Sequence, residues 1–130
     1  MNKKEQELTA DLQKWIKKYW DMTAVFEVKV SREKSLPYSA VKPHQVRALK
    51  TAGNKFIYKI PDLGGQNPCD LVTITEAPGY VVIFFYKPYK PKIFYMIEIS
   101  QFEYLKATSK RKSITEEECQ NYCYRSDVLK

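Results

Sequence analysis

The chain has 130 residues, 44% hydrophobic and 28% charged, a balance that suits one folded domain with a core of moderate size. No stretch approaches the ~18 consecutive apolar residues of a membrane span, and Met1-Asn2-Lys3-Lys4-Glu5 leads into charged helical sequence and not into a secretory leader, so a cytoplasmic protein with no membrane association is expected. Twenty-two Lys and Arg against 15 acidic residues give a formal charge of +7 and favour anionic partners such as nucleic acid, although solubility alone can account for such a charge.

In chain order, Leu8, Leu12, Trp15, Ile16 and Tyr19 recur at helical spacing, which predicts an amphipathic helix over 4–20. Residues 24–30 (Ala-Val-Phe-Glu-Val-Lys-Val) alternate as a strand, and its two-residue period sets Glu27 and Lys29 on the same face. Ser35–Ser39 reads as a loop, and residues 44–52 read as a helix that opens after Pro43 and stops at Gly53. A short strand is expected at 55–60, then a turn-rich stretch over 61–68. Strands at 70–75 and 80–86 follow, joined by Ala77-Pro78-Gly79 as a hairpin, and another strand at 93–99. Thr115-x-x-Glu118 has the spacing of a capping box and starts a last helix. The order predicts an α/β fold: a single domain, 1–130, with a central mixed β-sheet flanked by helices.

The candidates for chemistry are few. His44 is the only histidine, which excludes a nuclease site built on paired histidines and leaves zinc short of ligands. Cys69, Cys119 and Cys123 are odd in number, and the last two stand four apart in an expected helix, so a reducing compartment fits better than a disulfide. Carboxylates with a hard cation remain. Glu27 is one such ligand, and Lys29 on the same face can orient a water or balance charge on a phosphate, though a Glu-x-Lys strand is more often a solvated face.

Around this triplet, Phe26-Glu27-Val28-Lys29-Val30, Ser35-Leu36-Pro37-Tyr38-Ser39, and His44-Gln45-Val46 with Leu49 occur in sequence. Together they resemble the RecU-type Holliday junction resolvases of the PD-(D/E)XK nuclease superfamily. There a strand bearing acid-x-Lys leads through a Ser-Leu/Phe-Pro loop to a helix that opens with His-Gln. The resemblance is close over residues 24–53 and loose over the strands beyond.

It implies a restriction-endonuclease-like fold and a metal-dependent DNA endonuclease using Mg²⁺ or Mn²⁺. In that reading Glu27 binds metal, Lys29 positions the attacking water and Gln45 faces the site from its helix. Four-way junctions are the implied substrate and a homodimer the implied assembly, since resolution needs two symmetric cuts.

The family's metal-binding Asp precedes the acid-x-Lys strand in a hairpin, for which residues 20–23 leave no room. A permuted order is expected instead, with Asp70 at the head of a later strand reaching the metal. Asp62, after Ile60-Pro61, is its rival, although turn chemistry alone accounts for it. Many members add a glutamate from the first helix. Glu5 is preferred to Glu7, because it shares the apolar face with Leu8 and Leu12.

Arg32, Lys34 and Lys42 surround the Ser-Leu-Pro loop as candidate DNA contacts. Lys87 and Lys90 belong to a second basic segment, interleaved with Tyr86 and Tyr89, and Lys110-Arg111-Lys112 form a third. Trp15, Trp20 and Phe85 are taken as exposed aromatics available to a dimer interface. Two other readings keep the same residues: a less selective nicking or restriction-like endonuclease, and a DNA-binding recombination accessory protein without catalysis.

Overall fold

A computed structural model describes residues 2–61, 65 and 69–129. Helix α1 (Lys3–Tyr19) is capped by Asn2, whose Oδ1 accepts the Glu5 N–H at 2.8 Å. Strand β1 (Val25–Ser31) follows, then the short β2 (Ser35–Pro37), a 3-10 turn (Tyr38–Ala40) and helix α2 (Pro43–Thr51). Strands β3 (Lys55–Lys59), β4 (Leu71–Thr75), β5 (Gly79–Phe85) and β6 (Lys92–Glu98) come next. The chain closes with α3 (Ile99–Thr108), β7 (Ser113–Thr115), α4 (Glu116–Tyr122) and β8 (Arg125–Leu129).

The central sheet has the order β1-β5-β6-β8 and is mixed: β1 and β5 run parallel, and the other pairs are antiparallel. The parallel pair needs a crossover, and α2 belongs to it. Alternation along each strand then divides two cores. Val28, Tyr80, Val82, Phe84, Phe94 and Met96 pack under Leu8, Leu12 and Trp15 of α1. Val81, Ile83, Phe85, Tyr95 and Ile97 face Leu49 of α2, Phe102 and Leu105 of α3, and Cys119 of α4. All seven residues of β5 are buried, as befits a strand with neighbours on both edges and helices on both faces.

Four expectations are corrected. Strand β4 does not pair with β5; it pairs antiparallel with β3, from Lys55↔Thr75 to Lys59↔Leu71, as a hairpin outside the central sheet. Residues 35–37 are not a free loop but a strand zipped to β7. The helix α3 and strand β8 were not expected from the sequence. Trp15 and Phe85 are buried core residues, and Trp20 is half-buried against Phe26, Tyr80 and Tyr124, so these aromatics do not form an exposed interface. All three cysteines are free. Among the described residues no helix is long and apolar enough to cross a membrane.

Candidate active site

Strand β1 lies at the edge of the central sheet, and its odd-numbered residues face α2. Glu27 stands beside Val81 and Lys29 beside Ile83, so both charged side chains emerge from the face that elsewhere carries the larger core. They meet there: Lys29 Nζ lies 3.4 Å from Glu27 Oε1, with the side chains only 13% and 24% exposed respectively. That enclosure departs from the solvated face on which most Glu-x-Lys pairs sit.

Helix α2 supplies the third member. Pro43 takes its first position, where the fixed φ and the missing N–H cost nothing. Two residues on, Gln45 turns back so that its Oε1 accepts the Lys42 N–H at 2.8 Å, and its Nε2 donates to Glu27 Oε1 at 2.9 Å. One bond fixes the orientation of the amide, and the other holds the carboxylate. The ammonium of Lys29 and the positive end of α2 both complement the charge on Glu27. Oxygen Oε2 of Glu27 is engaged by no described residue.

The close seating of α2 depends on Gly79. A Cβ there would stand 2.5 Å from the Leu49 carbonyl oxygen and 2.9 Å from its Cα, so only glycine lets the helix backbone lie against the head of β5. The approach to the helix is equally fixed. Leu36 is buried, Tyr38 N–H bonds to Lys112 O at 3.0 Å, and Glu116 N–H to Lys34 O at 3.3 Å.

The proposed second carboxylate is not joined to this group by any described contact. Asp70 is exposed, and its carbonyl accepts the Ile60 N–H at 2.9 Å, one step past the outermost pair of the β3–β4 hairpin. The hairpin is rooted at its other end, where Ala77 N–H bonds to Ala52 O and Glu76 N–H to Asn54 O. Asp62 lies outside the described residues. Among those described, no three His, Cys, Asp or Glu side chains group as a metal site. Glu5 is buried at 9% exposure with no described bond to its carboxylate, whereas Glu7 is exposed and pairs with Lys4 at 3.1 Å.

The cationic candidates gather near the end of β1 that follows Lys29. Arg32 and Lys34 are exposed just beyond Ser31, and Tyr86 N–H bonds to Ser31 O at 2.7 Å. The Tyr86 ring carries Arg32 at 5.3 Å and Lys4 at 4.4 Å, and Lys87 reaches Glu116 at 3.1 Å. An open groove of about 690 Å³ runs here, lined by Asn2, Lys3, Lys4, Ser31 and Arg32. Lys42 is exposed at the start of α2, and Lys90 on the β5–β6 loop. Lys3 and Lys4 were missed in the sequence because they read as ordinary charges on the polar face of a helix.

No protein-family model matches the chain, and neither does any curated protein or solved structure.

Proposed function

We propose that this protein is a divalent-metal-dependent, structure-selective DNA endonuclease with a restriction-endonuclease-like fold, acting on four-way junctions as a homodimer. The observation that carries the reading is the bonded group Gln45–Glu27–Lys29. Residues 18 apart in sequence converge on one partly enclosed carboxylate at a sheet edge, on the strand whose end leads to Arg32.

The donor set fits a hard cation in part. Mg²⁺ takes one or two carboxylates, keeps several waters and uses substrate phosphate oxygens for the rest. Glu27 offers an unengaged oxygen, and Asp70 or Asp62 would have to supply the second carboxylate. Such an ion, when bound, contributes charge neutralisation at the phosphate and a more acidic water.

The chain's own residues have distinct tasks in this reading. Gln45 fixes the rotamer of Glu27 and so the direction of its free oxygen. Lys29, held two residues along the same strand, stands where it can hydrogen-bond a water or offset charge building on the scissile phosphate. Arg32, Lys34, Lys42, Lys87 and Lys90 contact backbone phosphates and set the register of the DNA.

The absence of a three-donor group among the described residues favours one competing reading, a DNA-binding accessory protein that does not cut. Incubating the protein with a labelled four-way junction and a matched linear duplex, in Mg²⁺ or in EDTA, separates the two. Metal-dependent, paired cuts in the junction are expected. Tight junction binding without cuts in Mg²⁺ or Mn²⁺ selects the accessory reading, and equal cutting of both substrates selects a less selective nuclease.

A further inference from the structure

The loop between β5 and β6 holds an aromatic side chain that the fold does not use. Tyr89 is 105% exposed, so its ring packs on nothing, and its backbone has φ +61°, in the left-handed region that side chains other than Gly, Asn and Asp seldom adopt. A glycine would relieve that conformation, yet the position carries a large ring pointed into solvent.

The loop around it is short, bounded by prolines and held at both feet. Pro88 and Pro91 flank the tip, and Lys90 N–H closes it onto Lys87 O at 3.3 Å. At its two feet Lys87 pairs with Glu116 at 3.1 Å, and Lys92 with Asp11 at 3.0 Å. These ties set the backbone that presents Tyr89 before a ligand arrives, and the ring's own two torsions are left to be ordered on binding. Lys90 follows Tyr89 in the chain, and Tyr86 at the foot of the loop lies under Lys4 and Arg32.

A flat, uncovered ring on a loop that also carries Lys87, Lys90 and Lys92 suits a nucleobase face with phosphates on either side. Paired bases inside a duplex hide their faces, so the partner that fits is an unpaired or unstacked base. The position suits a nuclease as well, because the loop leaves β5 beside Ser31, about 7 Å along β1 from Lys29.

Resting on the nuclease reading above, we infer that Tyr89 stacks on an unstacked nucleobase at a DNA branch point and thereby sets the preference for branched over linear DNA.

The test is equilibrium binding in EDTA at matched salt, using a four-way junction with 2-aminopurine beside the branch point and a linear duplex of the same sequence. Tyr89→Ala, Tyr89→Gly and Tyr89→Phe are compared with the native protein. The expected result is a loss of junction affinity of about 5- to 100-fold for both Ala and Gly, near-native affinity for Phe, and a change below about twofold on duplex. The 2-aminopurine signal should respond to the native protein and to the Phe variant only.

Because Gly fits the left-handed backbone while Ala does not, equal losses assign the effect to the ring and not to loop distortion. Native junction binding by Tyr89→Ala overturns the inference, as does an equal loss on both DNAs, and cleavage by the native protein would still stand. A native protein that binds neither DNA overturns the inference and the nuclease reading together.

Discussion

The Gln45 amide has one orientation that satisfies both of its partners, because a flip would set its NH₂ against the Lys42 N–H. That gives the residue two separable tasks, bonding the first turn of α2 and holding Glu27. Gln45→Ala should lower cleavage about 10- to 100-fold, the range for residues that orient a metal-binding side chain, with junction binding unchanged. Gln45→Glu keeps an acceptor for Lys42 but turns a carboxylate on Glu27. It should lower the melting temperature through repulsion between the two carboxylates and lose activity as well, as thermal unfolding beside single-turnover cleavage would show. The thiols offer a check on the fold at the same scale. Burial above all, with smaller contributions from Cys123 and the carboxylates of Glu118 and Glu116, pushes the Cys119 thiol well above its ordinary range, whereas Cys69 is exposed. A thiol-specific reagent at neutral pH should modify Cys69 in the native protein and Cys119 only after unfolding.

At the scale of elements, the backbones of α2 and β5 approach closely at Gly79. Gly79→Ala forces a main-chain shift against Leu49 and should cost about 1–3 kcal/mol in a denaturant titration. It should also reduce cleavage more than that loss of stability explains, since the displaced helix carries Gln45. The last helix depends on its cap: Thr115 Oγ1 accepts the Glu118 N–H at 3.1 Å, and Glu118 returns a bond to the Thr115 N–H at 3.2 Å. Thr115→Ala should cost about 1 kcal/mol. This capping box was legible from spacing alone, as were α1, α2 and the shared face of Glu27 and Lys29, because each follows from a local period or cap. Strand pairing was not. The head of β5, after Ala77-Pro78, reads like a hairpin turn, but the unbroken apolar run Tyr80–Phe85 marks a central strand, which takes β1 as its parallel neighbour and leaves β4 to β3. Helix α3 follows β6 without a turn residue. Ile99, Phe102 and Leu105 at three-residue spacing are its signal, but Ile99 reads as the end of the strand before it and the two remaining apolar residues are too few to mark a helix. The second carboxylate was beyond local reasoning, because where Asp70 lies depends on how the hairpin is placed.

At the scale of the whole molecule, the chain carries a formal charge of +7, and basic residues far apart in sequence, Lys4 and Arg32, meet at the Tyr86 ring. Junction binding should therefore weaken steeply with salt, and Arg32→Gln or Lys34→Gln should each reduce the slope of log K against log salt by about 0.9 while weakening all sequences alike. The two-sided core leaves another global signature. Burial holds the phenols of Tyr38, Tyr80 and Tyr95 above their ordinary value, so the fold favours their neutral forms. That stability is fully present below the unfolded value of about 10 and is lost as pH rises from there toward the folded values, so melting temperature should decline above about pH 10. The central claim is that Glu27 and Lys29 perform chemistry and do not merely brace a sheet edge. Its most direct test is single-turnover cleavage of a four-way junction in Mg²⁺ by the native protein, Glu27→Ala and Lys29→Ala, with junction affinity measured in parallel. Cleavage should fall at least about 100-fold in both variants at near-native affinity. Near-native cutting by either variant, or no cutting by the native protein with Mg²⁺ or Mn²⁺, would contradict it.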